Sequence, residues 1–330
     1  MQTKAGIPST IKKINESFIR EKFMFREPKT CAQVVAETGI SVTTVRAIMN
    51  EMLKRNELRS LGLLESSGGR RSEQFIINDD CYEGISICMT DDFLYVSKMN
   101  IHARITEQTK IPSDFKQNLV QTLIKIIEER INERTRAIGL GVPGVVSATG
   151  FSQNFFRDTN EDIDIVTALK QKFALPIILE NDLNASALGF AKAANIDSTL
   201  AFIHFISSCN YIAAGFVDGN KIIRGMGNFA GELGLMPYDI RQDFSEALFS
   251  ADELRRSEII ARLVSWVCCT INPQQIVLCC NTDFKINARK ISKMLAYHLP
   301  EKMLPKLVIC SGYEQYFMEG MALLTCTHFY

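Results

Sequence analysis

Apolar and polar positions follow two successive regimes along this chain, helical at first and strand-rich later. Near the start, Ile11, Ile14, Phe18 and Ile19 recur at helical spacing behind Pro8-Ser9-Thr10, which supply a cap and a first turn. Thr30 then caps a second helix through Val34 and Val35, and Gly39 ends it at a position suited to positive φ. Ser41 caps a third helix through Val42, Val45, Ile48, Met49 and Leu53. The small Ala36 and Gly39, followed by Ile40, let two helices cross closely, which is helix-turn-helix spacing. The third helix turns Ser41, Thr43, Thr44, Arg46 and Asn50 outward, where they can reach base edges and phosphates. Past Leu58 the pattern becomes strand-like: Leu61 and Leu63, a tip containing Gly68-Gly69-Arg70-Arg71, then Phe75, Ile76 and Ile77. This predicts a β-hairpin of the kind that forms a wing.

The rest of the chain alternates differently. Tyr82 to Val96 reads as two strands around a turn at Thr90-Asp91-Asp92, with a third strand from Ala103 to Lys110. Helical spacing covers Leu119, Leu123, Ile126, Ile127 and Ile131, and Ala137 to Val146 is a strand ending in a glycine-rich turn. Ile177-Ile178-Leu179 forms another strand. The order β, β, β, α, β, α, β then repeats, with strands at Leu200 to Ile206, Tyr211 to Val217 and Lys221 to Ile223, a hairpin turn at Asp218-Gly219-Asn220, a helix around Leu263 to Thr270 and a strand from Gln275 to Cys279. Two similar halves facing a crevice are expected, with residues 1–80 as one unit and residues 81–330 as another, the latter in two lobes of about 81–190 and 191–330.

Composition narrows the function classes. The whole chain is neutral, with 37 Lys and Arg against 37 Asp and Glu, so no global field announces nucleic acid or membrane. The charge is local: residues 1–78 hold thirteen Lys and Arg against eight Asp and Glu, leaving that segment at +5. Glycines beside paired arginines let a backbone approach a narrow minor groove, which favours DNA binding over a protein-contact module of the same shape. The ten cysteines include no Cys-x-x-Cys spacing, and Cys268-Cys269 and Cys279-Cys280 lie in apolar runs, so buried reduced thiols are expected rather than zinc ligands or disulfides. Neither a signal-peptide core nor a membrane-length apolar run is present, which points to a cytoplasmic protein with no membrane partner.

One short stretch concentrates polar chemistry. After the apolar Ile177 to Leu179 come Glu180, Asn181, Asp182, Leu183 and Asn184, placed where a buried parallel strand delivers its C-terminal end to a crevice. A carboxylate flanked by amides suits a polyhydroxylated ligand, while the same residues serve equally well as the cap of the following Ala-rich helix.

With these residues in view, the chain resembles the ROK (repressor, open reading frame, kinase) family over nearly its whole length. The resemblance rests on Gly141-Val142-Pro143-Gly144-Val145-Val146, Glu180-Asn181-Asp182-Leu183-Asn184-Ala185, Asp218-Gly219-Asn220-Lys221 to Arg224-Gly225, and Gly227-Asn228-Phe229-Ala230-Gly231-Glu232-Leu233-Gly234. It implies an α/β fold in which an N-terminal winged helix-turn-helix precedes a two-lobed actin-like, hexokinase-like (ribonuclease H-like) domain. It further implies a sugar site lined by Asn154, Asn181, Asp182 and Glu232, with Asp182 matching the general base of the kinases. In a repressor the same carboxylate need only hold the hydroxyl.

The chain departs from the kinase pattern at three places. Ser86-Ile87-Cys88-Met89-Thr90 stands where kinases carry Asp-x-Gly-x-Thr, Cys209-Asn210-Tyr211 where a Gly-Thr-Gly phosphate loop is usual, and Cys279-Cys280 where a glycine pair backs the adenosine. Leu235 replaces a His that in many members binds zinc, and Pro237 to Arg256 holds neither Cys nor His. The expectation is a non-catalytic regulator needing neither zinc nor ATP. It would bind double-stranded operator DNA as a homodimer or homotetramer and respond to a sugar or phosphosugar. Arg46 and Asn50 would read the major groove, and Arg70 and Arg71 the minor groove. The alternatives are an active sugar kinase with a DNA-binding arm, and a regulator whose crevice docks a protein.

Overall fold

The computed structural model describes residues 6–24, 26–64, 72–112, 118–147, 150–152, 164–280 and 284–329. Its first unit is built from local hydrogen-bond chemistry. Helix α1 (Gly6–Phe23) leads to a short strand β1 (Lys29–Thr30), where Thr30 closes a reciprocal capping box: the Gln33 amide donates to Thr30 Oγ1 at 3.3 Å, and the Thr30 amide donates to Gln33 Oε1 at 2.8 Å. Helix α2 (Cys31–Thr38) stops at Gly39, whose φ of 68° needs the missing Cβ. Helix α3 (Val42–Lys54) buries Val45, Ile48, Met49 and Met52, four residues on one helical face. Strands β2 (Leu58–Leu63) and β3 (Glu73–Ile77) complete a three-stranded antiparallel sheet of order β1-β3-β2. The predicted hairpin tip with Arg70 and Arg71 lies outside the described residues.

The apolar spacing in α1 splits into two stripes. Ile19 and Phe23 are fully buried, but Ile11, Ile14 and Phe18 are each about half exposed, because Ile19 sits roughly 100° around the helix from Phe18. Only the first stripe meets α2 and α3.

Residues from β4 onward form two five-stranded sheets of identical order. The first contains β4 (Glu83–Met89), β5 (Phe93–Asn100), β6 (Ile105–Pro112), β7 (Thr135–Val142) and, later, β10 (Ile177–Asn181), ordered β10-β7-β4-β5-β6. Between them lie α4 (Leu119–Glu128), the small pair β8 (Val145–Val146) and β9 (Phe151–Ser152), and α5 (Val166–Lys172). The long helix α6 (Asp182–Ala193) then leads to β11 (Thr199–Ile206), β12 (Tyr211–Asp218) and β13 (Lys221–Ile222), followed by α7 (Phe244–Phe249), α8 (Glu253–Ile271), β14 (Gln275–Cys280), α9 (Ala288–Leu295), β15 (Lys306–Cys310) and α10 (Glu314–Cys326). The second sheet has the order β13-β12-β11-β14-β15. In each sheet the first strand pairs antiparallel with the second and parallel with the fourth.

Both sheets are covered on both faces. Helices α4 and α5 cover the outer face of the first sheet, α7 to α9 that of the second, and α6 and α10 fill the space between. These two inner helices cross very closely. A Cβ on Gly189 would stand 2.0 Å from the Tyr316 carbonyl, and one on Gly320 would stand 1.8 Å from that of Ala185, so the crossing admits no side chain at either position. The far end of α10 reaches the N-terminal unit: Ala322 and Phe329 share a core with Ile19, Val45, Phe75, Tyr82 and Met99. A charged joint lies beside it, where Glu57 is 2% exposed and accepts from Arg20, Arg55 and the Tyr82 hydroxyl.

Candidate functional site

The sharp change from the apolar β10 to the polar start of α6 builds the site. Asn181 is the N-cap, and its Oδ1 accepts from the amides of Leu183 (2.9 Å) and Asn184 (3.0 Å). Its Nδ2 donates to the Gly144 carbonyl at 2.9 Å and to Asp182 Oδ1 at 3.0 Å, so the cap is also tied to the glycine turn after β7. Asn181 therefore caps the helix, as expected for this stretch, and also orients Asp182.

Asp182 is buried, and its Oδ1 also accepts from the Leu183 amide at 2.9 Å. Its Oδ2 has no hydrogen-bond partner among the described residues. Burial, and then the nearby carboxylates of Glu232 and Asp91, raise its pKa to about 7, so near neutrality this carboxyl can either accept or donate. Glu232 stands at the start of a short 3-10 turn, Leu233–Leu235, and accepts from the Tyr211 hydroxyl at 2.7 Å. Burial raises its pKa, and the bond from Tyr211 opposes that rise. Tyr211 in turn is pushed up by burial and by the Glu232 charge beside it.

The lobes are joined around this cluster. Glu180, 4% exposed, accepts from Asn184 Nδ2 and from Arg224 Nε, each at 3.0 Å, and from Arg224 Nη2. Asn228 Nδ2 donates to the Val146 carbonyl at 2.8 Å. Ser208 Oγ donates to Asp91 Oδ2 at 3.3 Å, linking the β4–β5 turn to the β11–β12 turn. Neither Arg224, Asn228, Asp91 nor Tyr211 was singled out as a site residue by spacing. Arg224 lies 44 residues from Glu180, and no periodicity reports so distant a partner.

A cavity of about 620 Å³ opens next to the cluster, lined by Tyr211, Leu235, Asp243, Ser245 and Phe249 among others. Tyr211 belongs to both places, bordering the cavity with its ring and holding Glu232 with its hydroxyl. The structure thus brings Asn181, Asp182 and Glu232 to one end of the crevice, while Asn154 lies outside the described residues. Among the described residues no group of three or more His, Cys, Asp or Glu is disposed to hold a metal ion. No helix among them is long and apolar enough to cross a membrane.

On the N-terminal unit, Ser41, Thr43, Arg46 and Asn50 are exposed along α3. Ser41 is engaged as the cap, accepting from the Thr44 amide at 3.3 Å. Thr44 is half-buried with its hydroxyl 2.9 Å from that of Ser41, so Thr43, Arg46 and Asn50 are the freest of the five.

Comparison with known proteins places the chain. The model of the ROK family matches residues 82–247. The xylose repressor of Bacillus subtilis (strain 168) is 25% identical over 243 residues, covering 69% of this chain and 62% of that protein. The DNA-binding transcriptional dual regulator NagC of Escherichia coli (strain K12) is 20% identical over 246 residues, covering 71% and 59%. The matches therefore span about three-fifths of the length of these curated relatives, both of which carry regulator names. Among solved structures, a ROK family transcriptional regulator described as a homolog of the E. coli MLC protein superposes with a TM-score of 0.73 at 16% identity over 97% of each chain. A ROK hexokinase from Thermus thermophilus gives 0.58 at 18% identity over 74% of this chain and 97% of its own. The two-lobed fold is accordingly the one shared by ROK regulators and sugar kinases.

Proposed function

We propose, from the premise that this chain belongs to the ROK family, that it is a sugar-responsive transcriptional repressor whose kinase-like domain senses and does not catalyse. One contrast carries the reading. Among the described residues Asp182 leaves Oδ2 without a hydrogen-bond partner beside Asn181 and Glu232, which suits a ligand hydroxyl, while the loop that in a kinase must stay small for phosphate carries Tyr211 hydrogen-bonded to Glu232. Phosphoryl transfer depends on a phosphate cradle and metal-organising groups for electrostatic stabilisation, and the Ser86 to Thr90 strand offers no carboxylate for that task. Asp182 then serves as an acceptor for a ligand hydroxyl, and Asn154 completes the ligand contacts.

The DNA-reading unit comprises residues 1–80 and the sensor residues 81–330. Thr43, Arg46 and Asn50 on the exposed face of α3 would enter the major groove, with Ser41 and Thr44 at its start near phosphate and Arg70 and Arg71 in the minor groove. A homodimer or homotetramer in the cytoplasm would match a palindromic operator. The names of two relatives, the xylose repressor of Bacillus subtilis and an N-acetylglucosamine repressor of Escherichia coli O157:H7, make xylose and N-acetylglucosamine the first effectors to try. Sugar in the crevice would favour one lobe arrangement and so change the spacing of the paired DNA-binding units.

The test is thermal unfolding with xylose, N-acetylglucosamine, their phosphates, and ATP with Mg²⁺. A ligand at ~100 times its Kd stabilises the folded state by about 2.7 kcal/mol. A shift with one sugar, absent with ATP and lost in Asp182→Ala, is the expected result. A shift with ATP accompanied by sugar-dependent ADP release would replace this reading by a kinase with a DNA-binding arm. Silence with every sugar would favour a crevice that docks a protein.

A further inference from the structure

The pair Cys279-Cys280 is adjacent in sequence but divided in space. Successive strand residues point to opposite faces, and Cys280 packs with Phe205 and Phe284 on the outer side of the second sheet, whereas Cys279 packs with Val277 and Phe202 on the inner side. The neighbour of Cys279 is a residue 31 positions further along the chain. Strands β14 and β15 run parallel with Cys279 directly opposite Cys310, and both side chains belong to the inner cluster. Neighbouring strands lie roughly 4.8 Å apart, inside the Cα separation of about 4.4–6.8 Å that a disulfide accepts.

The two thiols differ in exposure. Cys279 is fully buried, while Cys310 is only partly buried and lines a cavity of about 330 Å³ together with Phe190, Ser311, Gly312 and Glu314. Cys310 Sγ donates to the Gly312 carbonyl at 2.9 Å. A hydrogen bond from Cys279 lowers the Cys310 pKa, and the same bond raises that of Cys279. One thiol is thus open to a small oxidant and the other waits behind it.

We propose that Cys310 and Cys279 form an oxidisable dithiol site that closes to a disulfide on reaction with a hydroperoxide. The Cys310 thiolate attacks the outer peroxide oxygen; an S–O bond forms, the O–O bond breaks, and an alcohol or water leaves after taking a proton, giving a sulfenic acid. The Cys279 sulfur then attacks the Cys310 sulfur; the S–S bond forms, the S–O bond breaks, and the leaving hydroxide takes the Cys279 proton as water. Two thiols and one hydroperoxide become one disulfide, one alcohol or water, and one water. The product staples β14 to β15 just before Gly312 and Tyr313, where the chain turns into α10.

The test treats the full-length native protein with hydrogen peroxide, blocks free thiols with N-ethylmaleimide, and maps unreduced peptides by mass spectrometry. The expected result is a peptide pair joining Cys279 and Cys310, lighter by two hydrogens and restored by dithiothreitol. The pair survives Cys280→Ser and is lost in Cys310→Ser. In Cys279→Ser the sulfenic acid has no resolving thiol, so dimedone should label Cys310. Oxidation confined to the exposed Cys209 and Cys269, or a linkage through Cys280, would overturn the proposal, as would an unlabelled Cys310 in Cys279→Ser that retains native circular dichroism.

Discussion

The two ends of the crevice use opposite chemistry in the same fold. At the start of α6, polar groups are packed densely and held by one another: Glu180 accepts from Asn184 and Arg224, and Asn181 caps the helix and steadies Asp182. At the end of the second sheet the inner face is filled instead by buried aromatic and sulfur groups. His204, in register with Cys279, is buried with neither ring nitrogen hydrogen-bonded among the described residues, and burial lowers its pKa to about 4. Tyr313 packs against it at 4.7 Å between ring centroids. The difference teaches that two sheets of one topology can carry a polar cluster at one set of strand ends and packed aromatic and sulfur groups at the other, because each sheet presents its own strand ends.

The largest expected effect concerns Asp182. Its folded pKa of about 7 lies above the ordinary 3.8, so its contribution to stability is greatest below pH 4 and is lost as pH rises through 7. A rise of that size corresponds to on the order of 4 kcal/mol. Stability curves of the ligand-free wild type and Asp182→Asn, measured by urea unfolding, should nearly coincide near pH 4 and separate in favour of the variant up to pH 8. Parallel curves would mean that this end of the crevice is wet and that the contrast is overstated.

Removing Glu180 should cost slightly less. Glu180→Ala strands the buried Asn184 amide and the Arg224 guanidinium, at about 3 kcal/mol, the lower end for a broken buried pair because Arg224 is 40% exposed. Chemical denaturation measures this directly, and a loss within a few tenths would show that Arg224 is fully hydrated in solution. Tyr211→Phe removes one hydrogen bond to a carboxylate, a loss of about 1.5 kcal/mol. It should weaken sugar binding without restoring ATP binding; restored ATP binding would show that the phenol oxygen alone excludes the nucleotide. The smallest effect lies outside the crevice. Arg71→Ala should lower operator affinity and reduce the slope of log affinity against log salt by about 0.9. An unchanged slope, read by fluorescence anisotropy, would remove that arginine from the DNA contact.

Much of this protein is legible in its sequence. The caps at Thr30 and Ser41, the positive φ at Gly39 and the repeated β, β, β, α, β, α, β order all follow from hydrogen bonds and apolar periods acting within a turn or a strand. The stripe on α1 was legible only in part, since periodicity places Ile11, Ile14 and Phe18 together but cannot say that Ile19 and Phe23 face the core instead.

What tertiary structure alone decided are the pairings between distant positions. Sequence determined that Glu180, Tyr211, Cys279 and Phe329 exist in suitable local settings. Only the assembled fold joins them to Arg224, Glu232, Cys310 and Ile19 respectively. The physical reason is range: capping and periodicity act over a few residues, whereas sheet register and the crossing of α6 with α10 at Gly189 and Gly320 are fixed by packing between segments that no local rule connects.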